Sequence, residues 1–401
     1  VMARTPARPG SKRRGITAFI VECDWDGVEV VNRLDFMGLK GIENGVIRFT
    51  NVRVPRENII WGEGLGLKLA LTTLNTGRLT IPATTAMAAK WSVKVAREYA
   101  ATREQWGAPV GKHDAVAQIL GRMTATAFAL EAVNDLAAGL SDQGKSDIRL
   151  EAAIAKMFNS EGAWRVIDDC MQIRGGRGYE TSASLASRGE EPIPVERVMR
   201  DLRINLIFEG SSEIMRLFIA REAVDPHLQR AGAMADPDSA IGDKVKGALN
   251  LGAHLAGWVP GLMLGKGRVP GTFGDYGPLA GHLRFVERAA RKLARSIFYA
   301  MVRFGPKLEK RQAVLFRMVD VGAELFAMAA VCVHANAMVK KDPSDRGPQR
   351  VADLFCRHAR NRVKRSFHDM FENHDVITYR VAQEVLNGKH AWLERDIPDL
   401  M

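Results

Sequence analysis

Cysteine is scarce: Cys23, Cys170, Cys332 and Cys356 are the whole complement of a 401-residue chain, they stand far apart, and none forms a CxxC pair. That spacing argues against a zinc site and against a disulfide framework, and a reducing compartment is its simplest setting. No apolar run is both long and uncharged enough for a transmembrane helix, because the best stretch, Leu325 to Val333, follows closely on Asp320 and Glu324. The nine histidines show no HExxH or comparable ligand spacing, so no metal is expected. A signal-peptide pattern is missing, as are internal repeats and low-complexity tracts. Residues 2–15 are basic enough to suggest a transit peptide, yet Pro6, Pro9 and Gly10 work against an amphipathic helix, and a solvated loop between strands is the favoured reading.

What is present is ordinary for a globular chain. With 46% hydrophobic and 26% charged residues it can bury a substantial core and points to two or three domains. The net charge of +11 suggests an anionic partner, and nucleic acid is set aside because no nucleic-acid-binding motif accompanies the charge. Strand signals fill residues 16 to 60, in Ile16–Val21, Val28–Val31 and Val46–Val54, and Pro55 ends them. Helical spacing then predicts helices over 65–101, with a bend at Pro82, and over 113–142, 147–172 and 212–223. Further helical patterns follow at 281–304, 309–341 and 349–371. Residues 180–194, rich in Ser, Gly, Glu and Pro, read as a surface loop, and 231–243 as a linker.

The most informative stretch is Leu206-Ile207-Phe208-Glu209-Gly210-Ser211-Ser212-Glu213-Ile214-Met215-Arg216-Leu217. An acid at a turn entering a helix stands on a fixed backbone, and the apolar Leu206, Ile207 and Phe208 would exclude water and raise its proton affinity, as a catalytic base requires. Read alone, the stretch is more often a capped helix start, with Glu213 interacting with the helix dipole and Glu209 solvated.

Two upstream stretches change that balance. Arg103-Glu104-Gln105-Trp106-Gly107 and Gln172-Ile173-Arg174-Gly175-Gly176-Arg177-Gly178-Tyr179 precede it in order and spacing such that the chain resembles the acyl-CoA dehydrogenases, flavoproteins that desaturate acyl-CoA thioesters. The resemblance runs from the strand Ile16–Glu22, through Val52–Ile59, to about His227. It implies a mainly α fold, with the end of a β domain at 1–62, the family's C-terminal helical bundle at 63–232, and an additional C-terminal helical domain at 233–401 like that of the very-long-chain branch. Complete members carry an N-terminal helical domain and earlier strands that contact the flavin. This chain begins inside the β domain, so the resemblance implies a protein N-terminally truncated relative to the family, one that holds FAD poorly by itself.

Roles follow by motif. The α-proton of a thioester is only weakly acidic, so its removal needs a base and a hydrogen bond to the carbonyl oxygen as charge develops. The resemblance makes Glu209 the base, sets Phe208 and Gly210 against the acyl group, and gives Asn75 and Arg78 to the CoA portion, with Asn75 standing where many relatives carry Asp. Some members place the base on the helix bearing residues 75–78; the corresponding position here is Gly77, which has no side chain. Cofactor contacts fall to Arg103 at the FAD pyrophosphate and Trp106 beside the adenine. Gln172, Gly175, Gly176 and Gly178 meet the adenine and pyrophosphate end of a FAD bound mainly by the other subunit of a homodimer. Ser211 and Glu213 are counted with them. Asp114 replaces a usual flavin-contacting Gln and is left out. From the residues alone, the glycines are also a helix stop, Arg78 a surface arginine and Trp106 a core residue.

The implied activity is FAD-dependent α,β-dehydrogenation of long-chain or very-long-chain acyl-CoA to trans-2-enoyl-CoA in fatty-acid β-oxidation, with electrons passed to an electron-transfer flavoprotein. An acyl-CoA oxidase and a non-catalytic interaction or assembly module are the alternatives. Residues 247–264, apolar with Trp258 and flanked by lysines, suit peripheral contact with a membrane or packing on their own domain in equal measure. The cluster Arg357, Arg360, Arg362, Lys364 and Arg365 reads as a solvated helix face. The implied location is the cytoplasm, at the inner membrane periphery, in a bacterium, or the matrix side of a mitochondrion in a eukaryote.

Overall fold

Apolar residues at helical spacing dominate the chain after residue 65, and the computed structural model is correspondingly helical there. It describes residues 1–7, 14–144, 147–231 and 265–398; the side chains of Ala7, Arg14, Asn75, Pro306 and residues 225–231 are not among those described. The chain forms two compact units. One comprises Val1–Ile219, Phe273–Leu283 and Phe326–Cys356, the other Ala220–Thr272, Arg284–Leu325 and Arg357–Met401.

In the first unit β1 (Met2–Ala7) pairs antiparallel with β2 (Arg14–Phe19), which pairs antiparallel with β5 (Ile59–Ile60), while β3 (Val28–Arg33) and β4 (Gly45–Phe49) form a separate antiparallel ladder. The basic segment expected as a loop is therefore a strand over residues 2–7. Its alternation puts Ala3 and Thr5 on one side, and the Thr5 and Thr17 hydroxyls hydrogen-bond across the pair at 2.9 Å. Helix α1 (Gly66–Thr102) starts against this sheet, where a Cβ at Gly66 would lie 2.8 Å from the Ala18 nitrogen, so only glycine permits the approach. The helix runs continuously through Pro82.

A short hairpin, β6 (Glu104–Gln105) and β7 (Ala108–Pro109), leads into α2 (Asp114–Gln143) and α3 (Arg149–Arg174). Small residues let these helices close on one another: Ala86, Ala89, Ala96, Ala127 and Ala163 share a core with Met123, Leu130, Val166 and Ile167. Asn159, fully buried on α3, donates to the Leu130 carbonyl at 2.9 Å and the Pro82 carbonyl at 3.1 Å, tying α3 to both neighbours. Burial also pushes the Cys170 thiol up to about 12, which keeps it neutral and unreactive. Then come α4 (Gly176–Tyr179), α5 (Ser182–Ser187), α6 (Val195–Arg203) and α7 (Ser212–Ala231). Helix α5 corrects the loop expected at 180–194. Thr181 caps it by accepting from the Ser184 nitrogen at 3.3 Å, and Leu185 anchors it in the interior.

The later helices are α8 (Ala280–Phe304), α9 (Gln312–Lys341), α10 (Gly347–Asp369) and α11 (Asp375–Leu386). Their stretches within the first unit bring together two cysteines that are remote in sequence, with the buried sulfurs of Cys332 and Cys356 3.8 Å apart and unbridged. In the second unit Arg317 makes a bidentate pair with Asp375, both contacts 2.7 Å. Of the basic cluster on α10, Arg360 lies over the Phe285 ring at 4.7 Å and Arg362 pairs with Glu324, so this face packs as well as hydrates. Apart from Ala231 at the end of α7, the linker at 231–243 and the stretch at 247–264 lie outside the described residues. Among the described residues no helix is long and apolar enough to cross a membrane.

One buried cation positions the segment between α6 and α7. Lys156, with no exposed surface on α3, donates to the carbonyls of Asn205 at 2.7 Å, Phe208 at 3.0 Å and Gly210 at 2.7 Å. Three ammonium protons meet three acceptors, which fixes the backbone on both sides of Glu209. Burial lowers Lys156 from 10.5 to about 8, with the nearby Glu209 charge opposing that fall. Because its folded value is depressed, the unfolded chain holds this proton more tightly, and the group's contribution to stability improves as pH rises from about 8 to 10.5. Local order runs the other way, since a neutral amine has only two N–H groups for three carbonyls. Lys156→Met is expected to raise amide exchange in residues 204–211 by about a hundredfold, equivalent to about 3 kcal/mol of local protection, while α1–α3 remain protected. The wild-type segment should loosen as pH passes about 8, relative to intrinsic exchange, and the variant should not respond. Equal protection in the two proteins would remove Lys156 from this role.

Candidate active site

Glu209 occupies a strained turn: its φ is 51°, and Gly210 follows at φ 101°. A side chain at Gly210 would be strained and would also press on Met215, whose Sδ lies 3.1 Å from the Cβ position. Ser211 then caps α7, its hydroxyl accepting from the Ile214 nitrogen at 3.4 Å. Lys156 thus holds from below a turn that the Glu-Gly pair forms at some cost.

The turn delivers the Glu209 carboxylate to α1. A Cβ built on Gly77 would overlap Glu209 Oε2 and stand 3.0 Å from its Cδ. The carboxylate therefore occupies the space that any side chain at position 77 would enter. Oε2 is buried and accepts no hydrogen bond from the described residues, which leaves it open to take a proton. Arg78 is 8% exposed, not the surface arginine that its sequence alone allows. Its guanidinium stands over the Phe218 ring at 5.2 Å; burial lowers its proton affinity and the Glu209 charge raises it. Arg216 pairs with Glu161 at 2.5 and 3.0 Å, joining α7 to α3; burial alone would raise the Glu161 carboxyl, but Arg216 and then Arg165 hold it below the usual range.

These contacts bring Glu209, Gly210, Gly77 and Arg78 together. Phe208 is half-buried beside them, Glu213 is exposed in the first turn of α7, and the Asn75 side chain lies outside those described. Lys156 and the Arg216–Glu161 pair were not anticipated. A cation at position 156 amid Ala152, Ala153, Ile154, Ala155 and Met157 was the available signal, because a charge on the apolar stripe of a core helix needs buried partners.

A cavity of about 490 Å³ opens between the hairpin and the glycine turn after α3. Arg103, Gln105, Gly175 and Gly176 line it with Arg174, Arg177 and Arg188. Gly175 has φ 58°, and side chains built at Gly175 or Gly176 would meet nothing within 4 Å, so the cradle is open backbone. Arg177 is neutralised by Glu190 at 2.6 and 2.9 Å and Arg188 by Glu180 at 2.7 Å. Arg174 is buried, its guanidinium over the Tyr99 ring at 5.2 Å. Arg103 is exposed at the rim. Such a donor set suits an anionic, phosphate-bearing group. Trp106 is 86% exposed at the hairpin tip with φ 52°, which excludes the core reading, and Gln172 is exposed. Gly178 faces the interior: a Cβ there would lie 2.7 Å from the Met171 carbonyl oxygen.

The chain is similar to known proteins along most of its length. Residues 64–224 match the acyl-CoA dehydrogenase C-terminal domain, and residues 278–390 match the ACAD9/ACADV C-terminal domain. The chain is 52% identical over all 401 of its residues to "Probable acyl-CoA dehydrogenase FadE10" of Mycobacterium tuberculosis, spanning 61% of that protein. It is 31% identical over 91% of its length to human "Very long-chain specific acyl-CoA dehydrogenase, mitochondrial", of which it spans 54%. A Bacillus anthracis acyl-CoA dehydrogenase solved in complex with FAD shares the fold, with a TM-score of 0.69 and 24% identity, over 92% of this chain and 61% of that one. With the turn, the glycine cradle and both domain matches in register, this chain belongs to the acyl-CoA dehydrogenase family and joins its C-terminal helical domain to the C-terminal domain of the very-long-chain branch.

Proposed function

We propose that the whole protein is a FAD-dependent dehydrogenase of long-chain or very-long-chain acyl-CoA, with Glu209 as the base that removes the α-proton. The observation that carries this is the Glu209 carboxylate lying against Gly77, with Oε2 buried and open. In this reaction the α C–H bond breaks with its proton passing to Glu209, the β C–H bond breaks as a hydride, and a trans-2 double bond forms between the two carbons. FAD, when bound, supplies the hydride acceptor.

The chain's own residues do the rest. The strained turn and the Lys156 clamp fix the base before substrate arrives, so little of the barrier is spent on ordering it. Buried Arg78 acts electrostatically on Glu209, and it and Asn75 face the CoA portion in this assignment; Phe208 and Gly210 border the acyl group. The cavity at Arg103, Gly175 and Gly176 fits the pyrophosphate of FAD, with exposed Trp106 and Gln172 available to the adenine end. Gly178 supports that cradle from inside through its packing on Met171, and Ser211 and Glu213 contribute where α7 begins. The exposed hairpin suits a cofactor shared across a homodimer. Electron-transfer flavoprotein as acceptor, β-oxidation as the setting, and a cytoplasmic or matrix location with peripheral membrane contact complete the assignment. So does the division into an end of the β domain (1–62), a helical domain (63–232) and a further helical domain (233–401), which the matches at 64–224 and 278–390 support.

In the flavin-loaded protein Glu209→Gln should keep FAD and acyl-CoA binding yet lose about 3 kcal/mol or more of transition-state stabilisation, roughly a hundredfold or greater in turnover. Near-normal turnover by that variant would reject Glu209 as the base. Arg103→Ala should weaken FAD retention, read by flavin absorbance after gel filtration, with acyl-CoA affinity little changed. Undiminished retention would make Arg103 a structural residue only.

A further inference from the structure

The second unit contains a cavity of about 350 Å³ between α8, α10 and the loop before α8, and it is remote in sequence from every residue assigned above. Its walls carry six cations, Arg268, Arg288, Arg291, Lys292, Arg295 and Lys364, against one carboxylate, Glu287. That carboxylate is committed: it pairs with Arg291 and accepts from the Gly267 nitrogen at 2.9 Å. Arg288 and Lys292 stand four residues apart on one face of α8, where like charges repel one another, and Lys364 adds to them from α10.

The concavity is built. Arg284 donates to the carbonyls of Pro270 and Thr272 at 3.0 Å each, and Arg288 donates to the Gly267 carbonyl at 2.6 Å, so the loop is fastened to α8. Glycine is needed at position 267 for this approach, since a Cβ there would lie 2.7 Å from the Arg284 main-chain carbonyl oxygen. Phe285 and Phe367 line the cavity with the cations, and Lys292 Nζ is held 4.4 Å from the Phe367 ring centre. A concave site lined by more cations than carboxylates, with Lys292 and Lys364 among them, attracts a compact multivalent anion, which would relieve the repulsion along α8. The volume admits a phosphate or diphosphate group and excludes a folded polyanion.

We propose that this cavity binds a phosphate or pyrophosphate group, carried by a free phosphorylated small molecule or by a phospholipid headgroup. Inorganic pyrophosphate is the probe, titrated calorimetrically into the full chain at constant ionic strength. Saturable binding is expected, weakened at least tenfold in Lys292→Gln/Lys364→Gln and unchanged in Lys389→Gln, whose lysine is exposed elsewhere in the same unit. Sedimentation with phosphatidylcholine vesicles, with and without phosphatidic acid, then separates the sources. Pyrophosphate-sensitive binding to the acidic vesicles assigns the site to a lipid headgroup, and its absence beside saturable pyrophosphate binding assigns it to a free phosphate. No saturable pyrophosphate binding, or an equal loss in Lys389→Gln, overturns the proposal; circular dichroism of each variant establishes that the helices are retained.

Discussion

Three hydrogen bonds from one buried ammonium group set the geometry on which the proposed chemistry depends. Lys156 reaches from α3 to the carbonyls of Asn205, Phe208 and Gly210, and those residues bracket Glu209. The turn they form is unfavourable in isolation, because Glu209 adopts a positive φ that L-residues with side chains avoid. Taking an ammonium group out of water is costly as well, by several kcal/mol before compensation. Each cost is tolerated through the other: the turn directs carbonyls inward, where the ammonium needs acceptors, and the ammonium holds the turn in a conformation that sends the carboxylate toward α1.

Electrostatics extend the same arrangement. Glu209 and Glu161 raise the proton affinity of Lys156 while Arg78 lowers it, so the groups around the turn form one balanced cluster. The Arg216–Glu161 pair fastens the first turns of α7 to α3 on the far side of Glu209. A base in this position has its backbone immobilised from two directions and one oxygen left open. Such order before binding is what a weakly acidic carbon demands, since the base has little thermodynamic drive and must be placed correctly when substrate arrives.

Much of this was legible in the sequence, and the reasons differ by element. The long helices were marked by apolar spacing, and the Phe208-Glu209-Gly210-Ser211 stretch was marked by an acid before a glycine and a cap. The absence of a side chain at Gly77 was visible too, although its overlap with the Glu209 carboxylate is a property of how α1 packs against a turn far along the chain. Lys156 could be noticed as a charge on an apolar face, but its acceptors are main-chain oxygens, which no sequence pattern names. Strand β1 was obscured by Arg4 and Pro6, which hide a two-residue alternation, and α5 by serines that favour loops until Leu185 finds a buried site. Cys332 and Cys356 seemed unrelated because neighbouring turns of different helices leave no trace in spacing.

Position 77 and the Glu209 carboxylate address the same point in space, so if Glu209 is the proposed base, one supplied from position 77 should serve the same α-carbon. Moving the base tests it. Glu209→Gly empties the volume that a side chain at position 77 would enter, and adding Gly77→Glu refills it from α1. The measurement is α-proton exchange of a bound acyl-CoA with deuterated solvent in the flavin-loaded protein. Exchange, nearly abolished in Glu209→Gly, is expected to return by at least tenfold in the double variant. A double variant that binds FAD and acyl-CoA but exchanges no faster than Glu209→Gly would contradict it.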